Sequence, residues 1–405
     1  MKSKSFRAIV GAAAIVAALA VFCTSAAAEV CTEYQSSDLL SAYTVSGAGA
    51  KSGLEINAKS VVLLEPKTKT LLYENNKDER LAPASVTKIM SLLLIMEAID
   101  GEKISYDTKV TASAHAASMG GSQIWLKENE VMTVDELLRA AVIASANDAT
   151  VALAEAVAGS EETFVEQMNA KAAQMGLKNT HFVNACGLDA DDHYTSAFDV
   201  AVMSAELLGH EGIKKYSTVW MDALRNGKSE LVNTNKLVRY YSGATGLKTG
   251  TTSKAGCCVS ATAERGGLSL VAVVMGAKTS NERFAGAKKL LDYGFANWSF
   301  CQVQAKPELL TPVPVKGGLQ KQIQPEAAGS LNLLLQKGKN AEITQTVTLP
   351  ESLNAPVLTG QEIGKITLSQ NGKQLGEITI ISGNTVDALT FFSALGQLAA
   401  ALLCP

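Results

Sequence analysis

The sequence predicts an α+β chain: an antiparallel sheet flanked by helices plus a helical lobe, then a small all-β domain and a C-terminal amphipathic helix. Three observations predict it. Strand-like runs at 60–65 and 70–74 are matched only much later, at 256–263 and 268–275, with helical patterns between them. Strands distant in sequence can complete one sheet, with the intervening helices on its faces. From Pro307 the character changes to short strand-like runs broken by Pro312, Pro314, Gly317, Gly318, Pro350 and Pro356. Finally, Leu389, Phe392, Leu395, Leu398 and Leu402 recur at helical spacing, with Thr390, Ser393 and Gln397 on the opposite side.

The chain has 405 residues, 47% hydrophobic and 19% charged, which is enough for two domains with a sizeable core. A net charge of −3 gives no electrostatic case for nucleic acid. Lys2, Lys4 and Arg7 precede an apolar run over 8–22, and Ala26-Ala27-Ala28 supplies a cleavage site before Glu29. Residues 1–28 are therefore expected to be a signal peptide that exports the chain, with an uncleaved anchor as the alternative. Residues 29–56 read as a lead-in. Beyond Cys23, the cysteines are Cys31, Cys186, Cys257, Cys258, Cys301 and Cys404. Their spacing is no disulfide framework, and without Cys-x-x-Cys or His-Glu-x-x-His no metal or cofactor is expected.

The two opening strands are joined by Pro66-Lys67-Thr68-Lys69 and lead to Pro83-Ala84-Ser85-Val86-Thr87-Lys88 and the apolar run 89–96. That run is too long for a strand and reads as a buried helix with proline at its start. Ser85 and Lys88, three apart, share a face, so a lysine kept neutral by burial could take the serine proton. Ser-x-x-Lys alone is a common pattern, and an N-capping serine beside a surface lysine is its alternative. Residues 110–126 read as a loop near this site. Helices are expected at 134–144, 147–158, 163–175, 196–208 and 282–296. Ser145-Ala146-Asn147 falls in the first of the connections between them, and Lys248-Thr249-Gly250 opens a strand region. In the second domain, 363–369 and 374–381 flank Asn371-Gly372, a strong hairpin signal.

Ser85-x-x-Lys88, Ser145-Ala146-Asn147 and Lys248-Thr249-Gly250 follow one another in the order of the serine acyl-transferase superfamily that includes penicillin-binding proteins and β-lactamases. Gly120-Gly121-Ser122-x-Ile124-Trp125-Leu126, Asn184-x-x-Gly187-Leu188-Asp189, His193-Tyr194-Thr195 and Gly246-Leu247-Lys248-Thr249-Gly250-Thr251-Thr252 extend the likeness. The chain thus resembles the exported D-alanyl-D-alanine carboxypeptidases, the low-molecular-mass penicillin-binding proteins, from about residue 57 to the tail. The resemblance implies a β-lactamase/transpeptidase-like catalytic domain over 57–300, a small β domain over 307–383 and a membrane-associating tail over 386–405.

The resemblance also implies roles. Ser85 attacks the D-Ala-D-Ala carbonyl and becomes acylated, and Lys88 takes its proton. Ser145 relays a proton to the leaving D-alanine, and Asn147 positions the substrate amide. Lys248 supplies positive charge, and Thr249 and Thr251 hold the terminal carboxylate. Gly250 lets the strand lie close to the substrate. The backbone amides of Ser85 and Thr251 form the oxyanion hole. Arg283 either faces the carboxylate or is an ordinary surface arginine, and His193 is structural. Implied partners are the peptidoglycan stem pentapeptide, β-lactam antibiotics and, through the tail, the outer face of the cytoplasmic membrane. The tail has no Lys or Arg, so a helix docked on its own domain is the other possibility. The oligomeric state stays open.

Two rival functions are a class A β-lactamase and a catalytically silent wall-binding protein. The first needs a deacylating glutamate in a Glu-x-x-Leu-Asn loop, for which Glu166-Gln167-Met168-Asn169, inside a helical pattern, is the nearest candidate. The second would have lost Ser85, Lys88 or Lys248. A Ser/His/Asp hydrolase lacks its Gly-x-Ser-x-Gly elbow.

Overall fold

The computed structural model describes residues 44–45, 54–338, 343–370 and 372–395. The expected signal peptide, most of the lead-in and the tail beyond residue 395 lie outside the described residues. The central sheet holds β1 (Thr44–Val45), β2 (Ser60–Glu65), β3 (Thr70–Asn75), β4 (Ala244–Thr252), β5 (Gly256–Arg265) and β6 (Leu268–Ala277), in the order β1-β3-β2-β6-β5-β4. All pairings are antiparallel except that of β1 with β3. The first and last parts of the domain thus meet where β2 pairs with β6, Val62 opposite Val273.

Both faces of this sheet are covered, which is why its inner strands read as continuous apolar runs. In β2 every residue is buried: Val62 and Leu64 pack toward one core, Val61 and Leu63 toward the other. The second core is closed by the C-terminal helix of the domain, Ser280–Asn297, through Ala287, Leu290, Leu291 and Phe295. Thr279 and Glu282 form a capping box at its start, two residues earlier than the sequence suggested. The first core contains helix α1 (Lys88–Asp100), apolar on all sides because it lies between the sheet and the helical lobe.

The lobe is built from α2 (Val134–Arg139), α3 (Asn147–Ala158) and α4 (Glu161–Gln174), and α5 (Ala197–Gly209) returns the chain to the sheet. Residues 110–126 are less loop-like than expected. They begin in a short strand, Lys109–Thr111, paired with Val131–Thr133, and include the helical turn Ala114–Ala117 capped by Ser113.

The second domain begins earlier than residue 307. Trp298–Gln304 runs directly on from the last catalytic-domain helix and pairs with Ser330–Gln336. The hairpin forms as expected, Glu362–Gln370 against Lys373–Ser382. Ile366, Leu368, Ile378 and Ile380 fill its core. Val386, expected in the tail helix, is fully buried in this β core and bridges to Val357. Of the described residues in the expected tail helix only 391–395 are helical, as one turn with Thr390 Oγ1 accepting from Ser393 N. Among the described residues no helix is long and apolar enough to cross a membrane.

Candidate active site

Ser85 lies in a single 3-10 turn, Ala84–Thr87, that feeds into α1 at Lys88. A 3-10 turn has three residues, so side chains three apart eclipse, and the pair is better aligned than in the α-helical turn the sequence suggested. Lys88 Nζ lies 2.9 Å from Ser85 Oγ, 2.6 Å from Asn147 Oδ1 and 2.7 Å from the Cys186 carbonyl oxygen. Lys88 is fully buried, and burial pulls its pKa down to about 8 against the opposing pull of the Cys186 thiol and Asp148. The amide and carbonyl oxygens can only accept. A neutral Lys88 amine therefore spends its two N–H groups on them and turns its lone pair to the Ser85 hydroxyl.

Ser145 and Asn147 reach this point through an irregular backbone. After α2 the chain widens into a π turn, Ala140–Ala144, and Ser145 adopts a left-handed φ of +62°. That reversal aims the Ser145 hydroxyl at Lys248, whose Nζ donates to it at 2.8 Å. Asn147 then opens α3 with its backbone N–H on the Ser122 carbonyl (2.7 Å) and its Nδ2 on the Gly120 carbonyl (2.7 Å). Gly121 must be glycine: its φ is +82°, and a Cβ there would stand 2.8 Å from Asn147 Nδ2.

β4 forms the opposite wall. Lys248 is buried and meets no carboxylate among the described residues. Burial first, then Lys88 and Arg283, depress its pKa well below the ordinary lysine value. Mutual repulsion between the lysines is thus secondary to desolvation, and it is not what lowers Lys88. A substrate carboxylate arriving beside Lys248 would restore its proton. Thr249 Oγ1 donates to Thr234 Oγ1 at 2.8 Å. A Cβ on Gly250 would lie 2.9 Å from both Ser85 N and Pro83 O, so only glycine lets β4 press this closely on the nucleophile turn. The Ser85 backbone N–H, which Gly250 approaches, belongs to the unpaired first turn of a helix. Arg283 is no surface residue. It is buried, and its Nη1 donates to Thr251 Oγ1 (2.8 Å), Gly250 O (2.9 Å) and Cys258 O (3.3 Å).

Several supporting residues carried no role in the sequence. The Asn184 carboxamide oxygen gathers the backbone N–H groups of Gly187 and Leu188, and this turn presents the Cys186 carbonyl to Lys88. Gly187, at φ +88°, passes so close that a Cβ would collide with the Ala84 carbonyl. Asp148 is buried behind Asn147 and accepts from Ile124 N, Leu126 N and Ala149 N. His193 is structural, as expected: its Nδ1 accepts from Val183 N, which leaves Nε2 to donate to Thr87 Oγ1 at 2.8 Å. Glu166 is exposed within helix α4 and not in a loop, while Asn169 bonds the Phe182 backbone.

The comparisons with known proteins agree with this geometry. A family model described as D-alanyl-D-alanine carboxypeptidase matches residues 46–279, and one described as penicillin-binding protein 5, C-terminal domain, matches 302–388. The chain is 42% identical over 359 residues to D-alanyl-D-alanine carboxypeptidase DacF of Bacillus subtilis (strain 168), covering 88% of this chain and 92% of that protein. Its fold is similar to penicillin-binding protein 5 from Haemophilus influenzae (TM-score 0.70, 32% identity, 82% of this chain and 98% of that one). It is also similar to penicillin-binding protein D2 from Listeria monocytogenes in a cefotaxime-bound form (TM-score 0.55, 31% identity, 60% and 98%). With a family model spanning most of the catalytic domain and the three motifs meeting at one serine, this chain belongs to the D-alanyl-D-alanine carboxypeptidase family of low-molecular-mass penicillin-binding proteins.

Proposed function

We propose that this chain is a serine-type D-Ala-D-Ala carboxypeptidase that removes the terminal D-alanine of peptidoglycan stem pentapeptides through a Ser85 acyl-enzyme and is acylated by β-lactams. The observation that carries it is the neutral-lysine geometry at Ser85: a buried amine with two obligate acceptors and one hydroxyl around it.

Lys88 takes the Ser85 proton as Oγ attacks the carbonyl carbon, and the Ser85 and Thr251 amides receive the developing oxyanion. Ser145, bonded to Lys248, passes a proton to the departing amine. Lys248, Thr249, Thr251 and Arg283 draw the free carboxylate, a role suited to two cations without carboxylate partners among the described residues. Gly250 keeps β4 close to the substrate backbone. Asn147 both holds Lys88 and borders the acyl side of the cleft. Water then releases the shortened peptide and restores Ser85.

Export is supported by the basic start, apolar run and Ala26-Ala27-Ala28 of the first 28 residues. A tether to the outer face of the cytoplasmic membrane is supported by Phe391, Phe392 and Leu395, exposed where the tail helix begins. The β domain then serves as a spacer that lifts the cleft toward the wall.

The experiment pairs the mature protein with its Ser85→Ala variant. Each is given a labelled penicillin and, separately, a peptide ending in D-Ala-D-Ala, and adduct mass and free D-alanine are followed. A long-lived adduct with D-alanine release, both absent from the variant, is expected. Penicillin turnover without D-alanine release would overturn the assignment.

A further inference from the structure

Trp125 is 74% exposed and holds a backbone φ of +61°. The left-handed region crowds any large L-residue, and an exposed indole leaves a wide apolar face in water. A loose loop does not explain either feature. The amides on both sides of Trp125, Ile124 N and Leu126 N, donate to the buried Asp148 carboxylate at 3.0–3.2 Å. Arg225 Nη1 donates to the Ile124 carbonyl at 2.8 Å, and the Ile124 and Leu126 side chains are buried. Both neighbours are pinned inward, and the left-handed turn between them holds the indole out. Backbone strain maintained by its surroundings clusters where a ligand is met.

The position fits a ligand already in the cleft. Asp148 follows Asn147, whose N–H donates to Ser122 O at 2.7 Å. From Ser122 to Trp125 the chain spans at most about 10 Å, and an extended four-residue acyl portion of the stem spans about 13 Å. A stem bound in the cleft is therefore long enough to bring its far end, where peptide joins sugar, to the indole.

We propose that Trp125 is a substrate-binding platform on which the amino sugar at the head of the peptidoglycan stem stacks while the D-alanine end occupies the cleft. This rests on the carboxypeptidase reading above. A pyranose carries one face of C–H groups and a rim of hydroxyls. An open indole covers the face and leaves the rim in water, whereas an apolar side chain of the peptide would gain more from a pocket.

The test compares D-alanine release from a pentapeptide with and without its amino sugar, by the mature wild-type chain and by Trp125→Ala and Trp125→Phe. In wild type the sugar should lower KM about tenfold, the scale of one stacking contact. Trp125→Ala should abolish that advantage, with the KM for the free pentapeptide changed less than twofold and kcat unchanged for both. Trp125→Phe should keep part of it. An equal loss on both peptides, or a sugar advantage that survives Trp125→Ala, overturns the proposal. Wild type that releases D-alanine without any sugar dependence overturns this proposal alone, and wild type that releases none overturns the carboxypeptidase reading with it.

Discussion

The Arg283 guanidinium donates to the Thr251 hydroxyl across 2.8 Å, from a buried position on the last helix of the catalytic domain. Its other partners are the Gly250 and Cys258 carbonyls and the Ser280 hydroxyl, and no carboxylate pairs with it among the described residues. A buried cation left without a counter-charge is costly unless a ligand supplies one. The carboxylate of D-Ala-D-Ala would do so through Thr251. Arg283→Gln should raise KM for peptides with a free C-terminus by 10- to 100-fold, and change KM for an amidated or ester analogue far less. Equal effects on both would assign Arg283 to holding β4 alone.

Lys88 makes a prediction of sign. Its pKa sits near 8 in the folded protein, and it acts as a base only when neutral. Penicillin acylation should therefore climb with pH, roughly tenfold per unit below about 8, and level off above it. Lys88→Arg, which stays charged, should lose at least 10³-fold and show no such limb. A flat profile in wild type would remove Lys88 from the role of base.

Short-range spacing paired Ser85 with Lys88 across one helical turn and marked the hairpin at Asn371-Gly372, while Ser145, Asn147 and Lys248 became legible only through the order of the three motifs. What spacing could not show was long-range. The Cys186 carbonyl that completes the Lys88 shell comes from a chain segment 98 residues away, and it is a backbone atom, so no residue identity announces it. Arg283 was ambiguous for the same reason, since a capped helix start reads as surface until β4 is placed beside it. The tail boundary slipped because Val386 is apolar in either setting, and only its partner Val357 decides for the β domain. The left-handed backbone at Ser145 and Trp125 had no sequence signal at all, because neither is Gly, Asn or Asp.

Asp148 should prove as sensitive as the motif residues although it performs no chemistry. Asp148→Ala leaves three buried N–H groups without acceptors, each worth about 1–3 kcal/mol. A loss of at least about 3 kcal/mol is expected, near 10 °C in melting temperature for a domain of this size. Asp148→Asn keeps one acceptor oxygen and should lose less. Because Ile124 and Leu126 belong to the same loop as Ser122, whose carbonyl receives Asn147 N, acylation by penicillin should fall in parallel with stability. A stable, slow Asp148→Ala variant would point to a direct role instead.

Gly250→Ala tests how tightly β4 must lie on the nucleophile turn. The added methyl would stand 2.9 Å from Ser85 N and Pro83 O and 3.0 Å from the Ala84 side chain, all on a turn that is itself packed. Backbone cannot swing aside as a side chain can, so the strand must retreat by a few tenths of an ångström. That retreat moves the Thr251 amide relative to the Ser85 amide, the two donors proposed for the oxyanion, and such donors lose their value quickly with distance. Acylation should drop by about 10²-fold while the melting temperature falls only a few degrees. Comparable losses in both would mean the glycine serves packing alone.

His193 ties the nucleophile turn to the lobe, and its titration gives the turn a pH limit. Burial first, then the charge of His181 and, opposed by Asp189, that of Lys254 bring its pKa down to about 4, against an ordinary value of 6.5 in the unfolded chain. Between those values the unfolded chain binds the proton and the folded one does not. Stability from this group is therefore complete above pH 6.5, declines as pH falls, and is exhausted below about 4. Between pH 7.5 and pH 5 the loss is about 2 kcal/mol. Protonation would also turn Nδ1 from acceptor into donor, against the Val183 N–H that now bonds it. Carboxyl groups titrate nearby in pH, so the measurement is a difference: denaturant unfolding of wild type and His193→Gln at both pH values. Wild type should lose about 2 kcal/mol more than the variant over that interval. An identical slope in the two proteins would show that His193 is charged or solvated in the folded state, and that Thr87 is held by something else.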